Sequence, residues 1–99
     1  MTAYLALTHN VDDLEAYQGQ YVPQVLPLLQ KHGIGVEVAH FGAAALEGSA
    51  DSVVILRADS VEAFHEFYDD PDYAPLKALR QSITSNAEMV VAPAFAPPG

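Results

Sequence analysis

The fold class predicted from this sequence is an α+β domain, a four-stranded antiparallel sheet with helices on one face. Three observations carry it. Four segments have a strand's period of two or a short apolar run, and two stretches place apolar residues at steps of three and four. Their order along the chain is β-α-β-β-α-β, which two split βαβ halves assemble into a ferredoxin-like sheet. With 99 residues, the chain has room for a single domain over 1–92, followed by a Pro-rich tail over 93–99.

The first strand is Ala3 to His9, with Leu5 and Leu7 on one face and Tyr4, Ala6 and Thr8 on the other. Asp12 and Glu15 have capping-box spacing, and Leu14, Tyr17, Tyr21, Val25 and Leu28 form the stripe of a helix reaching Lys31. Pro23 and Pro27 interrupt that helix, so a bend or a break into two pieces is expected, before His32-Gly33 stops it. Gly35 to Phe41 is the second strand, with Val36, Val38 and His40 expected on one face and Glu37, Ala39 and Phe41 on the other. Gly42 to Gly48 is a loop or an irregular strand extension. Val53, Val54, Ile55 and Leu56 then suit a central strand covered on both faces, although a short buried helix has the same pattern. Ser60 caps a helix through Val61, Phe64, Phe67 and Tyr68, and Asp70-Pro71 breaks it. A second piece restarts at Pro71 and carries Leu76, Leu79 and Ile83 inward. Glu88 to Ala92 is the last strand.

Hydrophobic residues at 51% and charged residues at 17% exclude a disordered chain. Thirteen Asp/Glu against four Lys/Arg give a net charge of −9, a surface that repels phosphate backbones and anionic lipid, so no nucleic-acid or membrane partner is expected. Without cysteine there is no disulfide framework, thiolate nucleophile or Cys-type zinc site. No apolar run has membrane length and no basic-then-apolar leader opens the chain, which points to the cytoplasm. Helices cover only one sheet face, yet the third and fourth strands are apolar on both. A homodimer through the open sheet faces is the expected partner arrangement.

From Ala3 to Val91 the chain resembles the bacterial family catalogued as domain of unknown function 1330, within the dimeric α+β barrel superfamily. The resemblance rests on Leu14-Glu15-Ala16-Tyr17, Pro27-Leu28-Leu29, Leu46-Glu47-Gly48, Phe67-Tyr68 and Pro71-Asp72-Tyr73 followed by Leu76-Lys77-Ala78-Leu79-Arg80. It implies a ferredoxin-like fold and a dimer formed sheet to sheet. The chain departs from the family at His40-Phe41-Gly42, where Arg-Gly-Gly is usual, at Arg57 in place of Glu, and at Phe67 in place of Trp.

His40, at the end of a strand with the parity of Val36 and Val38, is the candidate catalytic base. The structural alternative is a strand-end imidazole bonded to backbone. His9 occupies the matching end of the first strand, His65 is expected in solvent, and His32 suits a helix C-terminus. The four histidines show no metal-ligand spacing, so no metal site and no cofactor are expected. Tyr17, Tyr21, Phe41, Tyr68 and Tyr73 are candidate walls of a pocket between helices and sheet, with Arg80 as anion anchor. As plain core, the same rings would only fill space. Two functions stay open. One is a cofactor-independent enzyme or binder of a hydrophobic small molecule, for which the superfamily resemblance implies monooxygenase, isomerase or cyclase chemistry. The other is a non-catalytic dimeric ligand-sensing or interaction module.

Overall fold

In the computed structural model, which describes residues 2–96, four antiparallel strands lie in the order β2-β3-β1-β4. These are β1 (Ala3–Val11), β2 (Gly35–Phe41), β3 (Ser52–Ala58) and β4 (Thr84–Pro93). Helices α1 (Leu14–Ala16), α2 (Val22–Lys31), α3 (Val61–Tyr68) and α4 (Ala74–Ile83) belong to the two crossovers. The α+β, ferredoxin-like class is therefore realised. Pro97, Pro98 and Gly99 of the expected tail lie outside the described residues.

The core lies between helices and sheet. Ala3, Leu5 and Leu7 of β1 and Leu56 and Ala58 of β3 are buried there against Tyr17, Val25 and Leu29, with Phe64 and Phe67 of α3. Ser60 caps α3 by accepting from the Ala63 N–H at 3.2 Å, as expected. The first helix starts one residue later than its capping-box spacing suggests. Asp13 accepts the Ala16 N–H at 3.0 Å, while Asp12 accepts from the Ser85 hydroxyl of β4.

The prolines do not break the first helical segment. A π-helical turn, Tyr17–Tyr21, joins α1 to α2 instead, with the Val22 N–H reaching back to the Tyr17 carbonyl. Pro23 offers no N–H to residue 19 and its ring crowds that carbonyl; a wider turn relieves both problems immediately before it. Pro27 is accommodated inside α2. Strand β4 starts at Thr84, directly after α4, and its early irregular part contains Asn86 at φ 55° where the pairing with β1 shifts register. The polar run Thr84-Ser85-Asn86 lacks a strand's alternation, so only the β1 partner reveals it.

One irregularity changes the reading of a whole face. The β2–β3 register shifts between Val36 and Val38: Val36 pairs with buried Leu56, but Val38 pairs with Ile55 and His40 with Val53. The extra residue, Glu37, is a β-bulge, and beyond it the alternation is inverted. Ala39 and Phe41 thus face the helices, while Val38 and His40 face the open side. The expectation that Val36, Val38 and His40 share one face is corrected by this bulge.

Across the open face, Val38, Ile55, Ala6 and Val90 sit side by side on β2, β3, β1 and β4. Val38 is 42% and Val90 64% exposed, and Tyr4 lies 37% exposed beside the same stripe. Arg57 on this face pairs with Glu37 at 3.1 Å, an exposed contact of small energetic weight. No helix among the described residues is long and apolar enough to cross a membrane.

Candidate functional site

An apolar cavity of about 300 Å³ opens between α2, β2 and the sheet, with Leu26 and Val36 exposed on its lining and Leu5, Leu56 and Met89 toward its floor. Its size and apolar lining fit a small organic ligand. Tyr17, Tyr21, Phe41 and Tyr73, four of the candidate walls, line it. The π-helical turn presents both Tyr17 and Tyr21 inward, where both are buried. Tyr17 packs against Phe41 with ring centroids 5.1 Å apart, and against Tyr21 at the same distance. Tyr68 is not among the lining residues. It sits under the Lys77 ammonium at 4.2 Å and borders a separate hollow of about 280 Å³ between α3 and β4, with His65 and Phe64.

Polar chemistry is concentrated behind the tyrosines. His9, 0% exposed, has its Nε2 3.2 Å from Tyr17 Oη, and its Nδ1 has no well-formed hydrogen bond among the described residues. Burial pushes the His9 pKa below its ordinary value, and the Arg80 charge adds to that. The Ser52 backbone and Asp51 pull the other way but do not reverse it. His9 is therefore a neutral imidazole near pH 7. Burial raises Tyr17 to about 12, so it remains a phenol. Tyr21 is held well above the ordinary tyrosine range by burial and by the neighbouring Tyr73 oxygen.

On the other side, Tyr21 Oη and Tyr73 Oη are 2.9 Å apart, and Arg80 Nε donates to Tyr73 Oη at 3.3 Å. Arg80 itself is 3% exposed. Phe67 packs against Tyr73 in a tilted arrangement, with ring centroids 4.4 Å apart. His32 leaves the site altogether: its Nε2 bonds Asp70 at 2.8 Å, tying the end of α2 to the α3–α4 turn, where Lys31 also reaches Asp70 at 2.9 Å. No cluster of three or more His, Asp or Glu placed to hold a metal occurs among the described residues.

His40, the residue singled out as catalytic, is exposed on the opposite side of the sheet from this cavity. The histidine next to the cavity is His9. Its signal was present in β1, where Leu5, Leu7 and His9 share one parity, so that a polar ring had to enter the core beside two leucines.

An apolar pocket backed by buried phenols, an imidazole and a guanidinium, on one face of a ferredoxin-like sheet, defines a small α+β protein with a ligand-sized site. The chain belongs to the domain of unknown function family DUF1330, whose pattern matches residues 2–95. No curated protein matches it. Among solved structures it is similar to a protein of unknown function, RPA0582 from Rhodopseudomonas palustris, with 21% identity and a TM-score of 0.79 over 97% of this chain and 84% of that one. It is also similar to SnoaB, a cofactor-independent oxygenase from Streptomyces nogalater, with 11% identity and a TM-score of 0.70 over 97% and 95% of the two chains. A dimeric ferredoxin-like protein of unknown function from Thermobifida fusca matches with 20% identity and a TM-score of 0.58, over 95% and 92%. At these identities the likeness is one of fold.

Proposed function

We propose that the protein is a homodimer that binds a hydrophobic small molecule in the α2–β2 cavity and moves a proton on it through Tyr17 and His9, without a bound cofactor. The observation that carries this reading is a neutral, fully buried imidazole one hydrogen bond behind the wall of an apolar cavity. A phenol with its pKa at about 12 does not act as a base alone near neutral pH. With His9 Nε2 behind it, Tyr17 Oη can accept a proton from the ligand as its own proton passes to the imidazole. The ligand is left as an anion in an apolar enclosure. Such a deprotonation opens cofactor-independent oxygenation, isomerisation and cyclisation alike, and the fold shared with a cofactor-independent oxygenase supports that range. His40 has no place in this step because it faces away from the cavity.

The dimer uses the open face. Its stripe of Val38, Ile55, Ala6 and Val90 needs cover, and dimeric neighbours of the same fold support a second copy as that cover.

A binding module without turnover is the second reading, favoured by the lining itself, in which tyrosines are the only ionisable groups among the described residues. Native mass spectrometry of protein expressed in its own host, followed by assays on the co-purified ligand, separates the two. Under the catalytic reading, Tyr17→Phe lowers turnover by roughly 10²–10⁴-fold while ligand affinity changes little. Binding with no turnover in the native chain establishes the second reading, and a chain with no affinity for hydrophobic molecules refutes both.

A further inference from the structure

Arg80 is a buried cation with no counter-charge among the described residues. Of the other three Lys/Arg, Lys31 pairs with Asp70, Arg57 pairs with Glu37, and Lys77 lies over the Tyr68 ring. Among the described residues no carboxylate lies within ion-pair distance of Arg80, and its side chain makes one hydrogen bond, from Nε to Tyr73 Oη. A guanidinium is a fork of donors that cannot shed its proton in a protein, so a buried one without a carboxylate partner is costly unless something balances it.

The hydroxyls beyond it form a directed chain. Tyr73 Oη accepts from Arg80 and is also bonded to Tyr21 Oη. If Tyr73 donates to Tyr21, the Tyr21 proton has no acceptor; if Tyr21 donates to Tyr73, the Tyr73 proton has none. Both rings line the cavity, and either direction leaves one phenol proton, polarised by the guanidinium behind it, without a partner among the described residues.

We infer that Arg80, acting through Tyr73 and Tyr21, is the anion-recognition element of the cavity and that the ligand is a hydrophobic molecule bearing a single carboxylate. This inference rests on the α2–β2 cavity being the binding site. A single carboxylate suits the site better than a phosphate. One fixed cation is present, the neighbouring His9 imidazole being neutral, and the chain's net charge of −9 would oppose a dianion. The same guanidinium that fixes the carboxylate also adds to the forces keeping His9 neutral, so anchoring and proton acceptance are compatible in one site.

The test uses two isosteric probes on the full chain, 2-naphthoate and the neutral ketone 2-acetonaphthone, with affinities measured by calorimetric titration at neutral pH. The native chain should bind the carboxylate roughly tenfold or more tightly than the ketone, as a charge-assisted hydrogen bond allows. In Arg80→Met that preference should vanish while ketone affinity stays within about threefold, and Tyr21→Phe should reduce the preference in a chain that keeps its arginine. Equal affinity for both probes in the native chain, or a preference that survives Arg80→Met, overturns the anion inference and leaves the cavity standing. Binding of neither probe overturns the cavity and the inference together. If Arg80→Met does not fold, the native probe pair and Tyr21→Phe still decide.

Discussion

Arg80→Met should make the unliganded protein more stable, against the usual direction of core substitutions. Arg80 is 3% exposed, has no carboxylate partner among the described residues, and makes one rather long hydrogen bond of 3.3 Å to a neutral phenol. Losing that bond costs about 1 kcal/mol or less. Tyr73 Oη is not orphaned by the change, because Tyr21 Oη remains 2.9 Å away. On the other side, the effective penalty for holding an ion out of water is several kcal/mol, and it disappears with the charge. Methionine keeps most of the aliphatic stem in contact with α4's neighbours and adapts to irregular space. The Thr84 hydroxyl continues to bond the carbonyl of residue 80 at 2.7 Å, a contact that does not depend on the side chain. The balance is a gain of about 1–3 kcal/mol, and each kcal/mol raises Tm by roughly 4–8 °C in a domain of this size. Thermal melts and urea titrations at equal protomer concentration measure it. Saturating 2-naphthoate at about 100 times its native Kd should then lift the native chain by roughly 2.7 kcal/mol and the variant, which binds it about tenfold more weakly, by only roughly 1.4 kcal/mol. Loss of more than about 1 kcal/mol in unliganded Arg80→Met would refute the reasoning, since it would mean that the guanidinium is already balanced within the fold.

Ala6→Asp places a charge between Ile55 and Val90 at the centre of the open-face stripe, where an unpaired buried carboxylate costs several kcal/mol. Light scattering should give about twice 10.6 kDa for the native chain and a monomer for the variant. A native monomer at micromolar concentration refutes the sheet-to-sheet dimer. His9, with its folded pKa below the ordinary 6.5, binds its proton more readily in the unfolded chain. Stability should therefore be full above pH 6.5 and fall as the pH drops below it, and His9→Gln should flatten that slope in pH-dependent melts. Asp70 is held well below its ordinary 3.8 by hydrogen bonds from Lys31, the Asp72 N–H and His32. Its contribution is present above pH 3.8 and is lost as acid protonates it, so Asp70→Asn should lower Tm at pH 7 and remove part of the acid transition.

Much of the architecture was legible in the residues, because strand and helix periods are local. Leu5 and Leu7 in β1, the helical stripe from Tyr17 to Leu28, the Ser60 cap and the apolar run in β3 each need only near neighbours to be read. The family pattern then extends over residues 2–95 for the same reason, being a sequence of local pieces in order. Four of the six candidate pocket residues, Tyr17, Tyr21, Phe41 and Tyr73, also line the cavity, since rings on an apolar stripe must enter the space between helices and sheet.

What the sequence alone could not decide depends on pairing between distant segments. The bulge at Glu37 arises from how β2 meets β3, and one extra residue there sends His40 to the far side of the sheet while turning Phe41 toward Tyr17. The strand character of Thr84-Ser85-Asn86 exists only in register with β1. His9 meets Tyr17 because a strand end and a π-helical turn are brought face to face. Tyr21 and Tyr73 are 52 residues apart and exchange a hydrogen bond whose far end is the Arg80 charge. A side chain's face is set by a local period only while the period is unbroken; a bulge, a widened turn or a long-range hydrogen bond resets it, and each of these is an energetic bargain struck between segments that no local window contains.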